Sequence, residues 1–185
     1  KGEHVSTDEF LVSAPKESRK IKLHDYNDHS LGRWWSPERP NLYDVQFELV
    51  QDGEVVDRVD SYFGMRKISI EQGRLCLNNR PYTMRLVLDQ GYFPEGILTP
   101  PSGEALKKDV ELAKEMGFNG ARKHQKVEDP RYLYWCDKLG FLVWGEMANA
   151  YESHRNGKTL FNEIIAIRRS SFGFRLMKAG ASPIF

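Results

Sequence analysis

The chain has 185 residues, 40% hydrophobic and 29% charged, a globular composition with room for one domain or two small ones, and not that of a disordered chain. Its 27 basic and 26 acidic side chains leave a formal charge of +1, which supplies no field to steer a polyanion and sets nucleic acid and anionic membrane aside as partners. No run approaches the roughly 18 consecutive apolar residues of a membrane span, and Lys1-Gly2-Glu3-His4 lacks the basic-then-apolar layout of a signal peptide, so the compartment stays open.

From Glu9 to about Ile70 apolar and polar residues alternate in short runs: Phe10-Leu11-Val12, Lys20-Ile21-Lys22-Leu23, Tyr43 to Leu49, Val55 to Val59, and Lys67 to Ile70. A period of two predicts strands. Between two of these runs Gln51-Asp52-Gly53-Glu54 predicts a hairpin turn, because Asp-Gly accepts positive φ. An antiparallel β-sandwich would bury one face of such strands and leave the polar alternates outside. Pro37 and Pro40 fix φ and remove two backbone donors, which predicts an extended crossing there rather than a ladder strand. Trp34 or Trp35 is expected to cap the sandwich core.

After Gly73 the pattern changes. Tyr82 to Leu88 predicts a strand, and Ser102-Gly103-Glu104-Ala105 opens a helix ended by Gly117, with apolar positions at Ala105, Leu106, Val110, Leu112, Ala113 and Met116. Phe118 to Arg122 is a second strand, Asp129-Pro130 starts a second helix stopped by Gly140, and Phe141 to Trp144 is a third strand. The order β-α-β-α-β implies a parallel sheet, either doubly wound or part of a (β/α)8 barrel. No Gly-rich phosphate-binding fingerprint follows any of the strands, which favours the barrel. A complete barrel takes about 250 residues and a sandwich about 100, so 185 residues do not hold both, and a truncated piece of a larger multidomain protein is expected.

Cys76 and Cys136 lie far apart with no second Cys or His at metal-ligand spacing, so neither a zinc site nor a disulfide framework is indicated, and no metal or cofactor is expected. His24-Asp25-Tyr26-Asn27-Asp28-His29 gathers two imidazoles and two carboxylates, but lacks the spacing of a calcium loop or a zinc site and is read as a polar surface turn. The 4 Trp, 8 Tyr and 10 Phe either fill cores or offer flat faces that stack on sugars.

Several blocks in order carry a resemblance: Trp35-Ser36-Pro37-Glu38-Arg39-Pro40-Asn41-Leu42-Tyr43, Gly64-Met65-Arg66, Leu77-Asn78-Asn79-Arg80-Pro81, Leu88-Asp89-Gln90-Gly91-Tyr92, Ala113 to Asn119, Arg122-Lys123-His124, Asp129-Pro130-Arg131-Tyr132, and Leu142-Val143-Trp144-Gly145-Glu146-Met147. Together they resemble glycoside hydrolase family 2, which contains β-galactosidases, β-glucuronidases and β-mannosidases. The resemblance covers about residues 30 to 150. It implies a multidomain β plus α/β chain: an immunoglobulin-like β-sandwich over 1–72, the first β/α units of a truncated (β/α)8 TIM barrel over 73–152, and a divergent tail over 153–185. Asn79 stands where the family often has Gly after Leu-Asn, a turn position that favours positive φ, which Asn tolerates.

Barrel chemistry sits at the carboxyl ends of the strands. The candidate substrate-binding residues are therefore Asp89, with Gln90 beside it, Arg122, His124, Trp144 and Glu146. Arg122 can donate several hydrogen bonds in a fixed fork, Asp89 and Glu146 can accept pairs of hydroxyl donors, and Trp144 offers a stacking face. The same charged residues also read as a structural ion-pair network, and Trp144 as core. Many family members carry a His one position after His124, where this chain has Gln125.

The resemblance implies a retaining glycosidase acting on β-linked glycosides, which needs two carboxylates about 5 to 5.5 Å apart, and a neutral carbohydrate partner fits the charge balance. In the family the acid/base Glu follows an Asn at the end of the fourth strand and the nucleophile lies near the end of the seventh. Asn162-Glu163 presents that dipeptide, but its distance from Met147 is too short for a loop, a helix and another strand. Phe161 to Arg169 reads instead as helix. No catalytic residue is therefore assigned, and the chain alone is expected to be inactive. The tail from Ser153 carries six Lys or Arg against one acid, Glu163, and departs from the family. A non-catalytic carbohydrate-binding or scaffolding module is the alternative, and the open barrel edge predicts self-association.

Overall fold

The structure is a computed structural model that describes residues 2, 4–14, 18, 20 and 33–146. These fall into two compact units divided between Arg33 and Trp34. In the first, His4 Nε2 lies 2.8 Å from Thr7 Oγ1. The strand expected at Phe10-Leu11-Val12 is not formed, and all three side chains are exposed, because no described strand offers the run a ladder partner. The expected strand at 20–23, the polar turn at 24–29, the Asn162-Glu163 dipeptide and the tail helix lie wholly or mostly outside the described residues.

The second unit opens with a tight hairpin, β1 (Trp35–Ser36) and β2 (Arg39–Pro40), with Trp35 opposite Pro40 and Ser36 opposite Arg39. This corrects the extended crossing expected from the two prolines. Pro37 falls in the turn and Pro40 in a two-residue ladder, where a missing N–H is tolerated. The long hairpin of β3 (Tyr43–Gln51) and β4 (Glu54–Phe63) follows, turning at Asp52 (φ 51°) and Gly53 (φ 84°). Positive φ at both central residues matches the twist of the flanking strands, which is why Asp-Gly was legible as a turn. Tyr43 and Phe63 stack with centroids 4.9 Å apart at the base of this hairpin. Further out, Phe47, Leu49, Val50, Val55, Val56 and Val59 stay exposed, so the described residues place no buried layer on it.

Next come β5 (Ile68–Glu71), β6 (Arg74–Leu77) and β7 (Arg80–Pro81), an antiparallel sheet in that order. Asn78 (φ 53°) and Asn79 (φ 64°) form the two-residue turn between β6 and β7, so Asn79 does occupy the left-handed position.

The remainder is β8 (Leu86–Asp89), α1 (Gly103–Glu115), β9 (Gly120–Lys123), α2 (Pro130–Leu139) and β10 (Leu142–Gly145), a parallel sheet ordered β10-β9-β8. Ser102 caps α1 by accepting the Ala105 N–H at 3.1 Å, and Asp129 caps α2, whose first residue is Pro130. Both are sequence-local devices that satisfy N–H groups the helix leaves unpaired. Gly140 (φ 75°) ends α2 in the left-handed conformation. The expected strand Tyr82 to Leu88 is shortened to Leu86–Asp89. The Asn119 side chain donates to Thr83 O at 2.9 Å and accepts the Arg85 N–H at 2.7 Å, taking backbone groups that a longer ladder would use.

Alternation decides which face does what. Val87, Ala121 and Val143 point toward the helices and pack in a core with Leu106, Val110, Tyr132, Cys136 and Phe141. By the period of two, Leu88, Arg122 and Trp144 lie on the opposite face. At the amino end of the strands Trp35, 1% exposed, packs with Leu142 and the partly buried Leu42, Ile68, Leu75, Tyr82 and Met84. Its indole N–H donates to Asp137 O at 2.7 Å, and the Arg66 guanidinium stacks 4.0 Å from its ring centroid. Arg66 also pairs with Asp137 at 2.8 Å. Trp35 therefore joins the strand-rich segment to α2 and β10 rather than capping a sandwich core.

Candidate functional site

The carboxyl ends of β8, β9 and β10 come together in register, with Asp89 beside Lys123 and Trp144 beside Arg122. Glu146 follows β10 and is buried. Its Oε1 is bound by Arg122 Nε, and its Oε2 accepts the Gln125 N–H at 3.2 Å. That amide is presented by Gln125 in a left-handed conformation, φ 53°, which lifts the chain over the strand end immediately after β9. Arg122 remains about two-fifths exposed, so the fork that grips Glu146 also reaches solvent.

Asp89 lies on the other face. Its Oδ1 accepts the Gly91 N–H at 2.7 Å, and its Oδ2 is 2.7 Å from Lys123 Nζ and 3.5 Å from the Tyr132 hydroxyl. Lys123 is buried between Asp89 and Glu128 Oε2, the latter at 2.5 Å, and sits 4.2 Å over the Tyr132 ring. Lys126 closes the cluster, 3.1 Å from Glu128 Oε1, and donates to Gly91 O at 3.2 Å and Leu98 O at 3.0 Å. Burial, and then the charge of Asp89, raise the Asp109 carboxyl above its ordinary value, and burial pushes the Tyr132 phenol well up. Both shifts reflect a low-dielectric pocket already furnished with carboxylates.

The structure thus brings Arg122 and Glu146 together and separates Asp89 from them by one strand face. His124 donates its backbone N–H to Asp89 O at 2.9 Å, while its ring Nδ1 lies 3.2 Å from Gln90 Nε2. The Trp144 indole N–H is buried and has no hydrogen-bond partner among the described residues. Lys123, Glu128 and Lys126 were not singled out from sequence. The available signal was that Lys123 shares the period-two face of Ala121, which places a lysine on the buried side of a strand. Among the described residues no group of three or more His, Cys, Asp or Glu is arranged to hold a metal ion, and no helix is long and apolar enough to cross a membrane.

The proteins this chain is similar to are named as glycosidases. A beta-galactosidase of Vibrio cholerae is 35% identical over 152 residues, 78% of this chain and 15% of that protein. A beta-galactosidase of Lactococcus lactis is 36% identical over 132 residues, 70% of this chain and 13% of its own length. Among solved structures, a GH2 beta-galacturonidase from Eisenbergiella tayi bound to galacturonate is similar at TM-score 0.59 and 28% identity, covering 66% of this chain and 22% of that one. The model of the family described as glycosyl hydrolases family 2 matches residues 1–66. The chain belongs to that family, and it spans about one seventh of the length of the curated relatives it matches. Its relatives are multidomain, β-rich proteins.

Proposed function

We propose that the chain is part of a retaining β-glycosidase, with residues 1–72 belonging to an immunoglobulin-like sandwich, 73–152 forming the first β/α units of a (β/α)8 barrel, and 153–185 a divergent tail. The observation that carries this reading is the Arg122–Glu146–Gln125 assembly at the carboxyl ends of parallel strands, in a chain whose relatives are glycosidases. Arg122 binds sugar hydroxyls through the exposed part of its fork, and Trp144 supplies an apolar face beside it. Both Glu146 oxygens are already engaged, which suits an orienting role rather than that of a nucleophile. Asp89 supports the strand ends from behind. The relative bound to galacturonate supports a carbohydrate substrate.

Retaining hydrolysis needs a paired acid/base and nucleophile, and the chain assigns neither, so it is inactive by itself. Aryl β-galactosides, β-glucuronides and β-mannosides should be hydrolysed no faster than in buffer. Turnover well above buffer that vanishes in Glu163→Gln would overturn the inactivity and restore Asn162-Glu163 as an acid/base. Sugar binding is read separately from tryptophan fluorescence on titration with galactose or glucuronic acid. A saturable change lost in Arg122→Ala supports the site, and a change indifferent to Arg122→Ala refutes it.

A further inference from the structure

The buried cation of Lys123 faces away from Arg122 and Glu146, yet the corner after β8 and the turn after β9 are both tied to it. Lys123 Nζ meets Asp89 at 2.7 Å and Glu128 at 2.5 Å. Asp89 in turn holds the Gly91 N–H at the corner after β8 and, through its carbonyl, the His124 N–H after β9. Glu128 receives the Asp129 N–H at 2.9 Å at the mouth of α2 and the Lys126 ammonium at 3.1 Å, and Lys126 fastens the carbonyls of Gly91 and Leu98. The segment 123–128 is thus pinned at both ends, and between the pins lies Gln125 in its left-handed conformation, the residue whose N–H reaches Glu146. A glutamine holds that conformation at some cost in backbone strain, which contacts on either side of it offset.

From this arrangement, and resting on the proposed glycosidase reading, we infer that Lys123 is a positioning residue for Glu146: its pairing with Asp89 and Glu128 holds the turn after β9 so that the Gln125 N–H meets the Glu146 carboxylate, which Arg122 grips from the other oxygen. Gly91 shows how closely the cluster is built. A Cβ there would come within 2.7 Å of both Glu128 Oε2 and Lys126 Nζ, and the φ of 66° is one that glycine adopts freely. The two lysines balance Asp89 and Glu128 in charge, and burial, then the charge of Asp89, raises the Asp109 carboxyl nearby. An apolar residue at 123 alone would leave the Asp89 and Glu128 carboxylates without the cation between them, a destabilising change. Nor can an apolar residue fix the direction of two carboxylates on two loops.

Amide hydrogen exchange of the full chain, resolved to Gln125, tests this without sugar or turnover, so its outcome is independent of whether the chain binds a glycoside. In Lys123→Met the Gln125 amide should exchange about tenfold faster or more while the α1 amides keep their protection. Glu146→Gln should raise Gln125 exchange in the parent chain but add nothing in the Lys123→Met background, a coupling that a merely structural role would not produce. Unchanged Gln125 exchange in folded Lys123→Met, or additive effects of the two substitutions, overturns the inference. If Lys123→Met does not fold, Glu128→Gln decides: faster exchange at Gln125 alone supports the inference, and either no change or a general loss of protection overturns it.

Discussion

Truncating Trp35 tests whether the amino end of the parallel sheet is held by the strand-rich segment. The side chain is 1% exposed and gives its N–H to Asp137 O across 102 positions of sequence. Trp35→Phe keeps most of the ring but leaves that carbonyl, in the last turn of α2, without its donor, at a cost of about 1–3 kcal/mol. Trp35→Ala also removes the ring packed on Leu142 and beneath Arg66, for about 3–5 kcal/mol in all. Against a domain stability of about 5–15 kcal/mol, the Phe variant stays folded and the Ala variant stands near the limit. Urea unfolding followed by far-UV circular dichroism, which does not depend on the deleted indole, should move the midpoint down by about 1 M for Phe and further for Ala, with a slope of about 1–3 kcal/mol per M. Hydrogen exchange at Leu142–Gly145 should rise along with it. A midpoint for Trp35→Ala within about 0.3 M of the parent, or an unchanged β10, would refute the coupling and return Trp35 to the hairpin side.

Glu38 is held below its ordinary value of 4.5: partial burial raises it, but the hydrogen bond from the Tyr82 hydroxyl, helped by hydrogen bonds from its own backbone and Ser36 and by the charge of Arg85, outweighs that. A lowered folded pKa gives stability that is present above 4.5 and lost as pH falls through the folded value, so acid titration should destabilise the parent more than Tyr82→Phe. Equal acid sensitivity of the two would break that assignment. The outer strands β8 and β10 each pair only with β9 among the described residues, and open edges recruit other chains. Sedimentation should therefore show self-association or poor solubility of the full chain, made worse by deleting residues after Met147 if the tail covers that edge. A compact monomer unchanged by that deletion would count against it.

Local chemistry was legible wherever a feature closes over a few residues. Asp52-Gly53 and Asn78-Asn79 turn because their side chains tolerate positive φ, and Ser102, Asp129, Gly117 and Gly140 bound the helices because end groups need partners within one turn. The strand-helix alternation after Gly73 likewise announced a parallel sheet, and the residue types at the strand ends pointed to Arg122 and Glu146. Tertiary structure decided the rest. Phe10-Leu11-Val12 alternates like a strand, yet a ladder needs a partner that no local pattern supplies. Pro40 pairs where its missing N–H argued against pairing, because a two-residue ladder asks little of it. Trp35 took its place from Asp137 and Leu142, far along the chain. At the site, the sequence offered Asp89 and Arg122 in one group of candidates, and the pairing of Asp89 with Lys123, and of Leu88 with Arg122, put them on opposite faces. Lys123 was hidden for the same reason: a charge is buried only where carboxylates from other segments meet it, and Asp89 and Glu128 do so only once the chain is folded.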